Sequence, residues 1–211
     1  MEIKQFTFNP FQENTYIVYN DEKEALIIDP GCYTEDEEKK LNEFILSNNL
    51  TVKLLVNTHL HIDHIFGNAF VEKTYNVKAT ANSEDEFWLK GMEGQARMFG
   101  LPLRHATPSL GNYIKEGDKI NLGKDTFEIF QVPGHSPGSI ILYNEDNHCV
   151  FVGDVLFEGG IGRTDLQGGS YQTLIEGIQE KLLTLPEKTV VYSGHGPATS
   201  IGREKAGNPF L

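Results

Sequence analysis

The feature that most constrains this chain is a dense group of potential metal ligands at residues 58–64, which follows an apolar run. Three of the seven histidines and one aspartate lie here. In an extended segment alternate side chains share a side, so His59, His61 and Asp63 can face one point. His64 follows where the pattern becomes helical, and the change of period can bring it to the same side. Imidazole and carboxylate groups bind zinc or iron, so the segment predicts a metal site rather than a polar loop.

The composition narrows the possible classes of protein. At 211 residues the chain can form one large α/β unit, and a domain of this size buries about 70% of its unfolded surface. No linker or low-complexity segment divides it, so we expect a single domain over residues 1–211. The net charge of −12 would repel a nucleic acid backbone, so we expect a small-molecule substrate and no nucleic acid partner.

Cysteine usage and hydropathy indicate the compartment. Cys32 and Cys149 are far apart in apolar surroundings, so we expect two buried thiols in a reducing compartment rather than a disulfide. The chain has no basic-then-apolar leader, and no apolar run approaches the roughly 18 residues of a membrane span. These features predict a soluble cytoplasmic protein without a membrane partner.

The apolar pattern predicts two successive groups of strands and helices. The first comprises strands at 3–8, 15–19, 25–28, 52–56 and 77–81, and helices at 35–49, 65–75 and 83–99, with Ser83 as the cap of the last. The second comprises strands at 127–132, 139–143, 148–152 and 189–192, and a helix at 171–185, while 100–117 and 153–170 are predicted loops. Two similar halves of this kind favour two sheets face to face with helices outside.

Three further candidate ligands follow predicted strands. His135, Asp154 and His195 each come after a strand and a glycine, where the chain can turn sharply and aim the side chain at the edge of the sheet. His105 and His148 do not end an apolar run, and we expect both to be solvated.

Together these residues resemble the ligand set of the metallo-β-lactamase superfamily. The resemblance implies a four-layer αβ/βα sandwich of the α+β class, in which two mixed β-sheets lie face to face with helices outside. It also implies a binuclear site in which Asp154 bridges the two ions. The resemblance implies three ligands for each ion: His59, His61 and His135 for the first, and Asp63, His64 and His195 for the second.

Within that superfamily the sequence is most similar to glyoxalase II, the hydroxyacylglutathione hydrolases, and in particular to their short bacterial type. Four segments carry the similarity: Asn-Pro and Glu-Asn-Thr-Tyr within 9–16, Pro-Gly-His-Ser-Pro-Gly-Ser at 133–139, Gly-Asp-x-Leu-Phe through Gly-Arg-Thr-Asp at 153–165, and Gly-His-Gly-Pro at 194–197. Secreted β-lactamases tend to have cysteine where this chain has Asp154, and they carry export signals. Both differences argue against antibiotic hydrolysis.

The resemblance implies cleavage of thioesters, from S-2-hydroxyacylglutathione to a 2-hydroxy acid and a thiol, by a hydroxide that bridges two divalent metal ions. Zinc is the first expectation, and iron or manganese also suit such ligands. The catalytic residues would be Asp154, which sets the spacing of the ions, and Asp63, which orients the hydroxide. A thiolate leaving group has an unperturbed pKa of about 8.5 and needs little help from a general acid.

Substrate selection is indicated by fewer residues. Arg163 occupies the position of a family lysine that contacts glutathione, whereas Asp165 replaces a family tyrosine and would repel an anionic tripeptide. Because the sequence ends soon after His195, we expect it to lack the helical domain that binds glutathione in long glyoxalase II enzymes. Two alternatives share the ligand pattern: a persulfide dioxygenase with one iron on two histidines and the aspartate, and a lactonase or esterase of the same superfamily.

Overall fold

The first half of the chain forms a mixed six-stranded sheet. The computed structural model describes residues 1–211. The six strands, which lie in chain order across the sheet, are β1 (Glu2–Phe8), β2 (Glu13–Tyr19), β3 (Glu24–Ile28), β4 (Thr51–Val56), β5 (Ala79–Ala81) and β6 (Asn112–Tyr113). Strands β1 to β3 pair antiparallel, and β3 to β6 pair parallel. The strands predicted at 3–8, 15–19, 25–28 and 52–56 are therefore confirmed.

The second half forms a second mixed sheet of six strands. They are β7 (Lys119–Leu122), β8 (Asp125–Gln131), β9 (Ile140–Asn144), β10 (Cys149–Gly153), β13 (Val190–Ser193) and β14 (Thr199–Ser200). Their order is β14-β13-β10-β9-β8-β7, and only β10 and β13 pair parallel. A separate hairpin comprises β11 (Leu156–Phe157) and β12 (Gly160–Ile161).

Six α-helices complete the fold: α1 (Glu35–Ser47), α2 (Ile62–Ile65), α3 (Asn68–Tyr75), α4 (Glu86–Met98), α5 (Tyr171–Gly177) and α6 (Ile201–Gly207). Helix α1 begins at a capping box in which the Thr34 hydroxyl accepts from the Glu37 amide and the Glu37 carboxylate accepts from the Thr34 amide. A single helical turn of 3₁₀ type, Ser83–Asp85, precedes α4, and a π-helical turn, Ile178–Leu182, follows α5. None of these helices combines the length and the apolar character that crossing a bilayer requires.

Alternation of side chains along the strands creates the four layers. In β9, Ile140 and Leu142 belong to the core between the two sheets, whereas Ile141 and Tyr143 belong to the core beneath α5. The first sheet behaves in the same way, because neighbouring residues of β2 and β3 alternate between the central core and the core that contains α1 residues. Strands buried on both faces read as continuous apolar runs. The predicted sandwich with outer helices is confirmed.

Several predicted boundaries are wrong, for local reasons. The helix predicted at 65–75 begins only at Asn68, because the chain turns at Gly67, whose amide donates to the Pro30 carbonyl at 2.7 Å; Ile65 is the last residue of the separate helix α2. A Cβ on Gly67 would lie 2.3 Å from Cys32 Sγ, so this close approach requires glycine. The predicted cap Ser83 is also wrong, because Asn82 accepts the Glu84 amide instead.

Short elements were absent from the sequence prediction. Strand β6 lies in the predicted loop 100–117, the β11–β12 hairpin lies in the predicted loop 153–170, and β7, β14 and α6 lie in segments for which no element was predicted. Strands of two residues contain too little alternation to produce a period in the sequence. Strands β6 and β14 form because the longer strands β5 and β13 offer them hydrogen bonds, whereas β11 and β12 pair with each other.

The two sheets meet most closely where the candidate ligands leave them. Across the interface the Ile140 amide donates to the Thr58 carbonyl at 2.8 Å. On the other side the Asn14 amide donates to the Gly194 carbonyl at 2.7 Å, and the Gly194 amide donates to the Gly153 carbonyl at 2.8 Å. These bonds hold the ends of β4, β10 and β13 at a single edge of the sandwich.

The core between the sheets supplies a stability test. Phe151 of β10 is fully buried and contacts the rings of Tyr16 and Tyr192, with ring centroids 5.2 and 5.1 Å away. Phe151→Ala is expected to lower the free energy of unfolding by about 3–5 kcal/mol, because it leaves a cavity between two β-sheets. Urea denaturation measures this change. Phe210→Ala, at a side chain 47% exposed, should stay within about 0.5 kcal/mol of the parent protein. Equal effects of the two substitutions would contradict this description of the core.

Candidate metal centre

The structure brings all seven predicted ligands together at one edge of the sandwich. His59 and His61 lie in the extended segment after β4, and Asp63 and His64 lie in α2. The other three follow β8, β10 and β13, as the sequence predicts: His135, Asp154 and His195. The change from extended to helical backbone at His61 divides the sequence cluster into two pairs.

The first group consists of His59, His61 and His135. Their ligand atoms lie within 4.8 Å of one another, and all three side chains are buried. The Nε2 atoms of His59 and His135 are 3.3 Å apart. His61 Nε2 is buried and has no hydrogen-bond partner. Three imidazoles therefore converge on one point, and His61 Nε2 accepts no hydrogen bond from the other two rings.

Hydrogen bonds on the far side of two rings decide where their protons lie. His135 Nδ1 lies 2.8 Å from the Arg163 carbonyl, which can only accept, so the proton is on Nδ1. His59 Nδ1 lies 3.1 Å from Thr58 Oγ1, which donates its own proton to Asp29 and so accepts from His59. Both Nε2 atoms consequently carry lone pairs. Two lone pairs 3.3 Å apart repel unless a cation lies between them.

The second group consists of Asp63, His64 and His195, whose ligand atoms also lie within 4.8 Å of one another. His195 Nε2 is 3.2 Å from Asp63 Oδ2. Asp154 contacts both groups: its Oδ1 is 3.3 Å from His64 Nε2, and its Oδ2 is 3.5 Å from His195 Nε2 and 3.6 Å from His135 Nε2. Asp154 thus occupies the position between the groups.

Asp29 is a buried carboxylate at this centre that the sequence prediction omitted. Its Oδ1 accepts from the Thr58 amide at 2.7 Å, and its Oδ2 accepts from Thr58 Oγ1 at 2.5 Å and from His64 Nδ1 at 3.1 Å. One carboxylate therefore orients His64 directly and His59 through Thr58. Asp29 lies directly after β3 at a φ of 48°, a conformation that aspartate tolerates better than most residues. The Asp-Pro-Gly sequence after a predicted strand was the available signal.

Burial keeps two imidazoles of the first group, those of His59 and His61, neutral. It lowers the pKa of His59 well below the usual value, and the nearby His64 adds to the shift. It also lowers the pKa of His61 to about 3, and His135 contributes. Neutral imidazole is the form that binds a metal ion, so these rings present lone pairs at pH 7.

Carboxylates dominate the second group. Burial opposes protonation of His64, but Asp154 and Asp63 outweigh it and raise its pKa. Burial also opposes protonation of His195, and the hydrogen bond to Asp63 reverses this effect and raises the pKa. For Asp154, burial opposes ionisation, but His64 and His195 lower the pKa. The carboxylates of Asp63 and Asp154 therefore stabilise a positive charge in this group.

The donors at this edge fit divalent cations. A cation would stabilise the neighbouring Nε2 lone pairs of the first group. A cation would also stabilise the carboxylates of Asp63 and Asp154 at the second group. Nitrogen and carboxylate oxygen donors without cysteine suit zinc, iron or manganese. Both cysteines are buried free thiols, as predicted, and they lie outside these groups.

A cleft of about 250 Å³ opens onto both groups. Besides candidate ligands, the cleft is lined by four apolar and two polar side chains. They are Phe11, Ile62, Phe99 and Leu166, and Gln95 and Arg163. Except for Arg163, the titratable side chains of this lining all belong to the candidate ligand set. A larger cleft of about 490 Å³ beside α4 is lined by Glu93, Arg97 and His105 and contains no candidate ligand.

Arg163 lies at the cleft, but Asp165 compensates its charge. The carboxylate of Asp165 accepts two hydrogen bonds from the guanidinium, at 2.7 and 2.8 Å, and both side chains are exposed. The Arg163 guanidinium is therefore paired within the chain, and the repulsion of an anionic substrate by Asp165 stays a prediction.

The two remaining histidines lie outside the centre, although neither is fully solvated as predicted. His105 Nε2 lies 2.7 Å from Glu38 Oε1, which places it against α1. His148 occupies a turn at a φ of 49°, and its Nδ1 is buried without a partner. The sequence prediction omitted five residues of the cleft, since side chains scattered over distant segments produce no pattern. They are Phe11, Ile62, Leu166, and Gln95 and Phe99 at the end of α4.

Comparison with known proteins is consistent with this geometry. The family model of the metallo-β-lactamase superfamily matches residues 8–195. The chain belongs to this superfamily. It is 39% identical to hydroxyacylglutathione hydrolase GloC of Haemophilus influenzae over 100% of this chain and 98% of that protein.

Solved structures agree on the fold. The crystal structure of the BLEG-1 B3 metallo-β-lactamase has a TM-score of 0.91 and 39% identity, and covers 100% of this chain and 99% of its own. TTHA1623 in a di-iron-bound form has a TM-score of 0.87 and 34% identity over 99% and 100% of the two chains. ETHE1 from Myxococcus xanthus has a TM-score of 0.80 and 27% identity over 99% and 84%.

Metal removal tests this centre. Extraction with a chelator is expected to lower Tm and readdition of Zn²⁺ to restore it, because an ion that binds only the folded state stabilises it, by about 2.7 kcal/mol at 100 times its Kd. Calorimetry measures the shift. His61→Ala should reduce the shift, whereas His105→Ala, outside the centre, should leave it unchanged. A Tm that does not respond to the chelator would contradict the site.

Proposed function

We propose that this protein is a binuclear metallohydrolase that cleaves thioesters of 2-hydroxy acids, as the hydroxyacylglutathione hydrolases do. The observation that carries the proposal is the pair of adjacent ligand groups joined by Asp154 and open to one cleft. The full-length similarity to a relative named hydroxyacylglutathione hydrolase supports it.

In this proposal each ligand group would hold one divalent ion, and Asp154 would contact both. The first ion would be held by His59, His61 and His135, and the second by Asp63, His64 and His195. Zinc is our first assignment, and the di-iron-bound form of TTHA1623 supports iron as the alternative. Two such ions lower the pKa of a shared water towards neutrality, so that hydroxide is available at pH 7.

The protein's own residues would position the reaction. Asp63 Oδ2 lies 3.2 Å from His195 Nε2, so both donor atoms face the same point, and from there the carboxylate can orient the attacking water. Asp154, which lies 3.3 to 3.6 Å from three histidine nitrogens, would keep the two groups at a constant separation. Asp29 would hold the rings of His59 and His64 so that their Nε2 atoms face the centre.

The cleft favours a good leaving group. An amine must be protonated as it leaves, which needs a general acid that is free of the ligand set. The titratable side chains of the cleft are ligands except Arg163, which is paired with Asp165. A thiolate, with an unperturbed pKa of about 8.5, leaves without that help. The absence of a free acid in the lining therefore supports thioesters.

Glutathione as the thiol carrier depends mainly on the similarity to GloC. Arg163 is the basic side chain that the cleft offers to a glycine carboxylate, and binding would have to compete with its two hydrogen bonds to Asp165. We assign glutathione as the carrier on these grounds and expect a weak contribution of Arg163 to affinity.

Two other activities are compatible with specific observations. BLEG-1, which is named a B3 metallo-β-lactamase, is 39% identical to this chain, as GloC is. The aspartate at position 154, where secreted β-lactamases tend to have cysteine, argues against antibiotic hydrolysis. The dioxygenase alternative would use one iron on two histidines and an aspartate; the structural likeness to ETHE1, at 27% identity, is compatible with it. The convergence of seven donors rather than three favours hydrolysis.

A substrate panel tests the proposed function. Metal-loaded protein is expected to hydrolyse S-lactoylglutathione faster than a lactone or a β-lactam, without oxygen uptake in the presence of a persulfide. His61→Ala should lower kcat/KM by about 100-fold or more, since loss of a ligand exceeds the effect of an outer contact. His105→Ala should retain activity. Turnover that persists in His61→Ala, or oxygen consumption with one iron per chain, would overturn the proposal.

A further inference from the structure

Asp85 is a buried carboxylate that is separate from the seven candidate ligands. It ends the 3₁₀ turn before α4 and has no exposed surface. Its Oδ2 accepts from the Leu60 amide at 3.0 Å, and its Oδ1 accepts from Ser136 Oγ at 2.5 Å and from the Gly138 amide at 2.6 Å. Three hydrogen-bond donors from two separate segments therefore converge on this buried carboxylate.

The donors to Asp85 belong to the two segments that carry the first ligand group. Leu60 lies between His59 and His61, whereas Ser136 follows His135 directly and Gly138 lies three residues after it. We propose that Asp85 is a positioning residue, which sets the two halves of the first metal site at the correct separation. The inference rests on the proposed function only for placing a metal ion in this group.

The same network reaches His61 through Trp88. Trp88 Nε1 donates to Ser136 Oγ at 3.0 Å, which leaves the serine proton free for Asp85. The Trp88 ring packs edge-on against His61, with centroids 4.6 Å apart and an interplanar angle of 78°. Asp85 therefore holds the backbone beside the first-site ligands and, through Ser136 and Trp88, limits the orientation of one ring.

The approach of the two segments to Asp85 is close. A Cβ on Gly138 would lie 2.7 Å from Asp85 Cγ, so a side chain at this position would displace the carboxylate or the loop. The second group lacks such contacts with Asp85. Its rings are held elsewhere: His64 Nδ1 by Asp29, and His195 Nδ1 by the Phe11 carbonyl at 3.1 Å. Loss of Asp85 should consequently affect one site and spare the other.

The physical effect of the substitution is predictable. Asparagine keeps the shape of Asp85, but its amide accepts at only one of the two oxygen positions. At the other position its NH₂ group would face a backbone or hydroxyl donor, and a buried donor would lose its acceptor. The two segments would then move apart or rotate, and the three imidazoles would no longer converge within 4.8 Å.

Titration of metal-free protein with Co²⁺, followed by visible absorption and competition with a chelator, separates the two binding steps. Asp85→Asn is expected to weaken one step by about 10- to 100-fold, the usual effect of losing an outer contact of a metal site, and to leave the other unchanged. Asp125→Asn is a matched control, because Asp125 is also buried but lies in the β7–β8 hairpin, hydrogen-bonded to Asn147. It should change neither step.

A double variant assigns the affected site. On a His61→Ala background, which already lacks a first-site ligand, Asp85→Asn should have no further effect on the remaining step. If Asp85→Asn does not fold, Trp88→Phe, which removes only the indole donor, should still weaken the first step selectively.

The outcomes separate the two proposals. Two normal binding steps in Asp85→Asn, or equal weakening of both steps, would overturn the role of Asp85 while leaving the binuclear site intact. A parent protein that binds no Co²⁺ would overturn the proposed function and this inference together.

Discussion

The carboxylate of Asp29 is the contact on which the candidate centre depends. It accepts from the amide and hydroxyl of Thr58 and from His64 Nδ1. Through these bonds a single buried charge fixes a ring in each of the two ligand groups and directs both Nε2 atoms inward. A buried carboxylate is costly unless it is fully hydrogen-bonded, and Asp29 is. The same bonds that stabilise it therefore orient the metal ligands.

The packing of the two sheets brings ligands from distant parts of the chain to one edge of the sandwich. The first sheet contributes the segment after β4, and the second contributes the segments after β8, β10 and β13. Backbone hydrogen bonds such as Ile140 to Thr58 and Asn14 to Gly194 hold the two sheets in register at that edge. Asn14 strengthens the link, since its side-chain amide donates to the carbonyls of Ser193 and Gly196. The Glu-Asn-Thr-Tyr motif thus has a structural role beside the site.

Agreement between sequence and structure is greatest for strands with buried neighbours on both faces. Residues 52–56 and 148–152 were predicted as strands because four of the five residues in each are apolar, and β4 and β10 confirm this. Agreement is poorest where a contact from a distant segment decides the local structure. Gly67 divides a helical pattern because Pro30 and Cys32 lie against it, and β6 forms only because β5 pairs with it. Neither partner is near in sequence.

The sequence by itself determined which residues gather at the centre, because His59, His61, Asp63 and His64 are adjacent and the other ligands each follow a strand and a glycine. Only the tertiary structure decided how they are divided. The backbone turns helical at Ile62, so adjacent histidines enter different groups, and Asp154 reaches the point between them from the opposite sheet. The roles of Asp29 and Asp85 likewise depend on hydrogen bonds that span 25 to 53 residues of chain. A pattern along the sequence records spacing, whereas such contacts arise only once the chain has folded and distant segments lie side by side.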